Sequence, residues 1–229
     1  MMFRVEDKYA CSASELFLLQ SRIDTVLKAD ANQYSQDGYS IISVYFDDLY
    51  DRHLQDTIDG NSKREKYRIR IYNNSFDTIK LEVKYKQYNR ILKKSKTISY
   101  SDMNSLLQGN PIACTNLPDD PATLFNMGIQ NRGLRPKVIV AYERKAYVFP
   151  SGNVRITFDR NIRSSNLIHM FGNDELSYDF PESPNAILEV KYDEFLPGFI
   201  AQLLELGNMQ QTSYSKYRIC REIYTKENQ

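Results

Sequence analysis

Residues 66–71 read KYRIRI and residues 80–86 read KLEVKYK, and both segments alternate between two kinds of side chain. Their even-numbered positions are charged, whereas their odd-numbered positions are aliphatic or aromatic. Successive side chains of a β-strand point to opposite faces, so this period of two predicts two strands that each have one charged and one apolar face. Lys66, Arg68 and Arg70 form a row of one sign along the first strand.

The consequence of this cationic row depends on where the charged faces point. An antiparallel sheet with one solvated face alternates in the same way, although solvated faces usually mix charge signs with uncharged polar residues. Like charges about 6–7 Å apart repel by roughly 0.6 kcal/mol in water, but by about 2.5 kcal/mol at an effective dielectric of about 20. An enclosed cationic face therefore needs an anion, and triphosphate or a longer phosphate chain carries enough charge.

The rest of the chain predicts a single α+β domain over residues 1–229, dominated by antiparallel strands. Strands are expected at Tyr39–Asp47, Lys63–Tyr72, Thr78–Tyr88, Ile91–Tyr100, Arg135–Phe149, Val154–Asn161 and Ala186–Tyr192. Helices are expected after an N-cap at Ser12 or Ser14, within 101–133 with Ser101 and Asp102 as caps, at Pro197–Leu206 and at Ser213–Tyr224. The pair Asn89-Arg90 predicts a tight hairpin.

Composition excludes several classes of protein. The net charge is +1 and no run approaches the ~18 apolar residues of a membrane span, so neither a broadly basic nucleic-acid binder nor a membrane helix is expected. Glu6 and Asp7 lie where a signal peptide would be positive and apolar. The three scattered cysteines favour reduced thiols. We therefore expect a cytoplasmic protein.

Three glutamates lie among the cations, at Glu6, Glu82 and Glu189. The last two belong to a repeated pentapeptide, Leu-Glu-Val-Lys-Tyr, which indicates a strand used at two related positions of one sheet or barrel. A carboxylate beside phosphate needs a cation, and Mg²⁺ or Mn²⁺ commonly bridges the two. An ion pair with a neighbouring lysine is the alternative for each glutamate, and for Glu82 it explains the residue at least as well.

Eight motifs resemble, in order, those of the VTC domain, the polyphosphate polymerase branch of the triphosphate tunnel metalloenzymes. They are Glu6-Asp7-Lys8-Tyr9, Ser43–Asp47, Tyr67–Arg70, Leu81–Lys84, Arg135-Pro136 with Tyr142–Arg144, Val154–Asp159, Leu188–Lys191 and Ser215–Tyr217. The resemblance extends from Arg4 to Ile223. It implies a closed antiparallel β-barrel whose lumen is a basic tunnel, with helices packed outside.

The resemblance also implies roles for individual residues. Glu189, and Glu6 with it, would bind Mn²⁺ or Mg²⁺. The cations that would grip the transferring phosphates are Arg68, Arg70, Lys84, Arg144 and Arg155. Further phosphate contacts would come from Lys8, Ser215 and Lys216, and from Lys94 or Lys96 if that strand has the right register.

The expected activity is transfer of the ATP γ-phosphate to phosphate or polyphosphate. Two alternatives stay open. With water as acceptor, the same site would be a triphosphatase; without catalysis, the protein would be a polyphosphate- or RNA-binding module, for which the tyrosines near the cations could stack bases. We expect ATP and phosphate or polyphosphate as ligands, no nucleic acid and no membrane span, while a membrane-protein partner and the oligomeric state are left open.

Overall fold

The computed structural model describes residues 4–31, 33, 35, 37–88, 90–115, 117–181, 186–205 and 209–226. Its strands are β1 (Arg4–Cys11), β2 (Lys28–Ala29), β3 (Tyr39–Asp47), β4 (Lys63–Tyr72), β5 (Ser75–Gln87), β6 (Arg90–Ile98), β7 (Arg135–Phe149), β8 (Val154–Ser165) and β9 (Ala186–Tyr192). Its α-helices are α1 (Ala13–Asp24), α2 (Arg52–Ile58), α3 (Tyr100–Leu107), α4 (Pro121–Arg132), α5 (Gly198–Leu203) and α6 (Lys216–Lys226).

Eight of these strands close into an antiparallel ring in the order β7-β3-β4-β5-β6-β1-β9-β8, because β8 pairs back onto β7. The short strand β2 pairs with β7 outside this ring. The α+β barrel with helices outside is thereby confirmed. Within the described residues, its weakest seam joins β1 to β6 through two residue pairs, Arg4 with Ile91 and Val5 with Arg90.

The apolar faces of the strands point out of the ring, where helices cover them. Ile69, Leu81 and Val83 are fully buried and pack in one cluster with residues of α3 and α4, such as Leu106 and Phe125. A second outer cluster joins α1 and α5 to β1, β8 and β9. Burying one such aliphatic side chain contributes about 1.5–3 kcal/mol. The hydrophobic core therefore surrounds the barrel, and the charged faces point inward.

Local sequence explains where two of the helices begin. Ser12 caps α1 in a reciprocal capping box with Glu15, as one of the two expected caps. For α3 the expected caps are wrong: Ser99 is the cap, and Asp102 is its partner in the third helical position. The expectation missed Ser99 because it placed the preceding strand as far as Tyr100, whereas β6 ends at Ile98.

Other differences concern short elements and boundaries. The sequence did not predict β1, β2 or α2 as elements, and α6 begins at Lys216 rather than Ser213. The expected hairpin pair includes Asn89, which lies outside the described residues, as does Leu206 at the expected end of α5. No helix in the described part of the chain is long and apolar enough to cross a membrane.

Unlike the helices that cover the outer faces, helix α6 lies inside the barrel, in part of the end where β3 ends and β4 begins. Its residues Tyr217 and Cys220 pack against Val138 and Val140 of β7 and Ile187 of β9, all of which are buried. These strand residues lie on the inner face, so hydrocarbon fills part of the lumen here. The charged lumen is thus confined to the remaining part of the barrel.

Asp47 anchors this end, and its removal is expected to destabilise the fold. Its fully buried carboxylate accepts hydrogen bonds from the backbone of His53 at 3.0 Å and Leu54 at 2.9 Å, and from the Tyr217 hydroxyl. We expect Asp47→Ala to lower the free energy of unfolding by about 2–4 kcal/mol, because buried donors lose their acceptor. Denaturant titration measures this, with Tyr217→Phe as the milder companion at about 1 kcal/mol. An unchanged midpoint for Asp47→Ala would contradict the anchoring role.

Candidate active site

The lumen of the barrel contains a cavity of about 390 Å³ with an unusual charge composition. Among the described residues that line it, only Glu6 and Glu189 are anionic. Its cationic lining residues are Arg4, Lys8, Lys66, Arg68, Arg70, Lys84, Lys93, Arg144, Arg155, Lys191 and Lys216. The wall is therefore strongly positive, as an enclosed cationic face should be.

Two fully buried carboxylates, which do not line the cavity themselves, form ion pairs with cations of its wall. Glu82 accepts hydrogen bonds from Arg68 Nε at 2.7 Å and from Lys93 Nζ at 2.8 Å. Asp159 accepts hydrogen bonds from Nε and Nη2 of Arg144 at 2.6 and 2.7 Å, and Lys216 Nζ lies 2.6 Å from Asp159 Oδ2. Burial alone would raise the pKa of either carboxyl, but the adjacent cations keep both pKa values below the usual range. These pairs fix the direction of Arg68 and Arg144 before any ligand binds.

The two lining glutamates share two lysines, Lys191 and the more distant Lys8, whose Nζ lies 3.4 Å from Glu6 and 3.6 Å from Glu189. Lys191 Nζ lies 3.2 Å from Glu6 Oε2 and 3.0 Å from Glu189 Oε2. Lys84 contacts Glu6 at 2.9 Å, and Lys216 contacts Glu189 at 3.0 Å. Burial opposes ionisation of both carboxyls, yet these lysines hold the pKa of each well below its usual range. Burial also lowers the pKa of Lys84 to about 7, against the attraction of Glu6.

Three cations are less completely neutralised and face the free space of the cavity. Arg70 is almost fully buried, and its nearest carboxylate is Glu82 at 3.9 Å, while Nη2 donates to the Tyr142 hydroxyl at 3.0 Å. Lys66 donates to Ser215 Oγ at 2.6 Å. Arg155 pairs with Asp30 at 2.8 Å but stays about one-third exposed, at 31%. Their remaining N–H groups are available to phosphate oxygens.

Comparison with known proteins agrees with this geometry. A family model of the VTC domain matches residues 3–224. The chain belongs to the VTC domain family. A comparison with curated proteins finds no match.

Solved structures share the fold of this VTC domain at low sequence identity. One is a Bacillus halodurans protein provisionally classed as an adenylate cyclase, with 13% identity, coverage of 93% and 94% of the two chains, and a TM-score of 0.56. Another, from Hippeastrum, is a candidate adenylyl cyclase with dominant triphosphatase activity, with 13% identity, 97% and 96% coverage and a TM-score of 0.54. A third, from Pyrococcus horikoshii, has 14% sequence identity, coverage of 96% of this chain and 99% of the other, and a TM-score of 0.50. Such similarities show the fold alone.

Most of the site residues expected from sequence meet in the cavity. Its lining includes Glu6, Lys8, Arg68, Arg70, Lys84, Arg144, Arg155, Glu189, Ser215 and Lys216. Lys94 and Lys96 do not belong to it: Lys94 pairs with Asp119, and Lys96 Nζ lies 2.8 Å from Asp120 Oδ2. The expectation that either faces the lumen is therefore wrong.

Sequence reasoning missed several lining residues of the VTC domain. Lys93, rather than Lys94 or Lys96, is the lysine of β6 that faces the cavity. It pairs directly opposite Lys84, and opposite residues share a face. Lys66 belongs to the cationic row that alternation predicted, and Lys191 has the parity of Glu189, but neither was assigned a role in the site. Tyr142 gave no signal, since an aromatic residue in an alternating strand usually belongs to the apolar face.

The orientation of β6 can be tested with adjacent lysines. We expect Lys93→Ala to weaken tripolyphosphate binding about three- to tenfold, since it removes a cation from the cavity wall. Lys94→Ala should change it less than about twofold, because Lys94 lies outside the cavity and pairs with Asp119. Isothermal titration calorimetry measures both affinities. The reverse order of effects would show that β6 has the other register.

The carboxylates of the cavity are chemically suited to a divalent metal. Membership of a tunnel metalloenzyme family implies one, and the shared contact with Lys191 shows that Glu6 and Glu189 converge on one cationic position. No described group of three His, Cys, Asp or Glu residues forms a complete metal site. Mg²⁺ and Mn²⁺ do not need three protein ligands, because one or two carboxylates together with substrate phosphates can coordinate them. No histidine or cysteine lines the cavity, which disfavours zinc.

Proposed function

We propose that this VTC domain transfers the γ-phosphoryl group of ATP to phosphate or to the end of a polyphosphate chain, building inorganic polyphosphate. The observation that carries this proposal is the cavity wall, to which the described part of the chain contributes eleven cations and only two lining carboxylates. An enclosed surplus of cations is stabilised by a ligand that carries several negative charges close together. The triphosphate of ATP and a phosphate chain both have that property, and a cytoplasmic location would supply the ATP.

The proposed reaction needs little covalent chemistry from the protein. A terminal oxygen of the acceptor forms a bond to the γ-phosphorus, the bond from that phosphorus to the β,γ-bridging oxygen breaks, and the electron pair leaves with ADP. Catalysis then consists of positioning and charge stabilisation. Arg70 and Arg155 would bind non-bridging oxygens through guanidinium forks, and Arg68 and Arg144 would offer the N–H groups that their carboxylates leave free.

Glu189 and Glu6 are the residues that would hold Mn²⁺ or Mg²⁺ in this reaction. Such an ion, when bound, would neutralise charge that develops on bridging and terminal oxygens. The lysines that now pair with these glutamates would contribute to phosphate binding by exchanging a carboxylate partner for a phosphate oxygen. Lys84, Lys191 and Lys216 now neutralise the two glutamates, and they would turn to phosphate oxygens when a metal replaces them.

The carboxylates favour a phosphate acceptor over water. Every described carboxylate that borders the cavity is bonded to a lysine or an arginine, including Glu82 and Asp159 behind the wall. A general base must be free to accept a proton from the nucleophile. A phosphate oxygen is already anionic and has no proton to release, whereas attacking water must release one.

Triphosphate hydrolysis is the second candidate, and the dominant triphosphatase activity of the Hippeastrum protein favours it. The deciding experiment incubates the chain with γ-labelled ATP, orthophosphate and Mn²⁺ or Mg²⁺, and then separates products by chain length. Accumulating labelled chains support the polymerase. Labelled orthophosphate alone identifies a triphosphatase, and binding without turnover identifies a polyanion-binding module.

A further inference from the structure

Thr157 of β8 has a buried hydroxyl group without a hydrogen-bond partner. The residue is fully buried, and its parity places it with Arg155 and Asp159 on the inner face of the barrel. Its Oγ1 atom is shielded from solvent and has no partner among the described residues. Burying a hydroxyl in this way is unfavourable, because the group loses its hydrogen bonds to water and gains none from the protein.

Other buried hydroxyls on the inner side of the barrel do have partners. Ser43 Oγ accepts a hydrogen bond from Arg70 Nε at 3.3 Å, and Ser164 Oγ lies 3.3 Å from the Tyr224 hydroxyl. Thr123 also has a buried hydroxyl without a partner, but it belongs to α4, outside the barrel. Within the described part of the chain, an unpartnered buried hydroxyl on the inner face therefore occurs only at Thr157.

The strand pairing places the carboxylate of Glu189 across from this hydroxyl. Thr157 pairs directly opposite Glu189 of β9 and directly opposite Ala146 of β7. Opposed residues of an antiparallel pair have Cβ atoms about 4.5–5.5 Å apart, which allows a threonine hydroxyl to form a hydrogen bond across the pair. Ala146 has no polar side-chain atom, and Asp159 lies about 6–7 Å further along β8. Glu189 is therefore the side-chain acceptor within easiest reach.

Two lysines occupy the Glu189 carboxylate in the structure. Lys216 Nζ lies 3.0 Å from Oε1, and Lys191 Nζ lies 3.0 Å from Oε2. Each carboxylate oxygen thus has a charged donor, and charge-assisted hydrogen bonds are stronger than those of a neutral hydroxyl. While both lysines stay, the Thr157 hydroxyl competes with them at a disadvantage.

The proposed function changes the partners of this carboxylate. Lys191 and Lys216 turn to phosphate oxygens when Glu189 holds a divalent ion, so the carboxylate loses its two charged donors. Carboxylates that bind metals are themselves oriented by hydrogen bonds from neighbouring groups, and these bonds strengthen metal binding. The neighbour that still has a hydrogen to donate is Thr157.

We propose that Thr157 is the positioning residue of the metal site: its hydroxyl donates to the Glu189 carboxylate once the lysines have turned to phosphate. This inference rests on the metal role of Glu189 in the proposed function, and it holds whether phosphate or water accepts the phosphoryl group. It explains why a hydroxyl that costs stability in the ligand-free protein is buried at this position.

Binding of Mn²⁺ in the presence of tripolyphosphate tests the inference without requiring turnover. Electron paramagnetic resonance of free Mn²⁺ gives the affinity of the wild-type chain and of each variant. Valine keeps the shape of threonine but has no hydroxyl, so we expect Thr157→Val to lose at least about tenfold in affinity. Thr157→Ser keeps the donor and should stay within about threefold of the wild type. The control Thr123→Val removes the other buried, unpartnered hydroxyl and should stay within about twofold.

Denaturant unfolding of the same variants without ligands separates a positioning role from a structural one. We expect Thr157→Val to keep or raise the midpoint, because valine buries no hydroxyl. Loss of Mn²⁺ affinity together with undiminished stability distinguishes a residue that orients Glu189 from one that supports the fold.

Three results would overturn the inference: wild-type Mn²⁺ affinity in Thr157→Val, an equal loss in Thr157→Val and Thr157→Ser, or a clearly lowered midpoint for Thr157→Val. Absence of Mn²⁺ binding by the wild-type chain would overturn it together with the metal role of Glu189. Failure of the polymerase proposal is recognised separately. A chain that releases only labelled orthophosphate from ATP still binds Mn²⁺, and the affinities of the Thr157 variants still decide the role of this residue.

Discussion

Glu189→Gln is expected to reduce metal-dependent turnover by at least a factor of about a hundred while the fold persists. The substitution keeps the shape of the side chain and an oxygen for Lys191 and Lys216, which contact Glu189 at 3.0 Å. It removes the negative charge that a divalent metal needs. Turnover of ATP with Mn²⁺ gives the first measurement, and Mn²⁺ binding in the presence of tripolyphosphate, followed by electron paramagnetic resonance, gives the second.

The repeated pentapeptide provides the matched control for this variant. Glu82 occupies the same place in its copy as Glu189 and is also buried on the inner side of the barrel, but it lies behind Arg68 and Lys93 rather than in the cavity lining. We expect Glu82→Gln to lower stability and to keep Mn²⁺ binding. Equal loss of Mn²⁺ binding in both variants would contradict a specific metal role for Glu189, and full activity of Glu189→Gln would remove that role.

Arg144→Gln is expected to lower the free energy of unfolding by about 3 kcal/mol, the largest stability effect among the cavity cations. Arg144 holds Asp159 through two hydrogen bonds of 2.6 and 2.7 Å, and Asp159 is fully buried. Glutamine cannot neutralise that carboxylate, and Lys216 alone would remain beside it. Denaturant unfolding measures the change.

Arg155→Gln is the companion variant, because this guanidinium lies in the same cavity at the partly exposed end. Its guanidinium stays 31% exposed beside Asp30, so Arg155→Gln is expected to destabilise the fold less than Arg144→Gln and to lower nucleotide affinity. An Arg144→Gln variant with wild-type stability and no activity would show that Arg144 serves the substrate rather than the architecture.

The arrangement of the barrel explains how so many cations can be kept together before substrate binds. Glutamates and aspartates divide them into small neutralised groups, such as Lys191 between Glu6 and Glu189. The outer apolar clusters supply the burial that stabilises the ring. Binding of phosphate then replaces one set of charge-assisted contacts by another, which limits the desolvation required at that moment.

Alternation within single strands predicted much of the site correctly. Arg68, Arg70, Lys84, Arg155 and Glu189 have the parity of the charged faces and all reach the cavity. The prediction for Lys94 and Lys96 was wrong because β6 has lysines at both odd and even positions. Only the pairing of β6 with β5 shows which of them face the lumen. The hairpin register, in which Gln87 pairs with Arg90 and Lys84 with Lys93, contains that information.

Sequence by itself predicted seven of the eight strands of the ring and which of their faces are charged, because a period of two is a local property of the backbone. It could not determine that α6 lies in one end of the lumen, that Tyr142 lies beside Arg70, or that Arg64 and Lys86 line a second cavity at the same end. These facts depend on contacts between residues far apart in the chain. Only closure of the ring, which brings β7 and β8 together and places α6 inside, decided them.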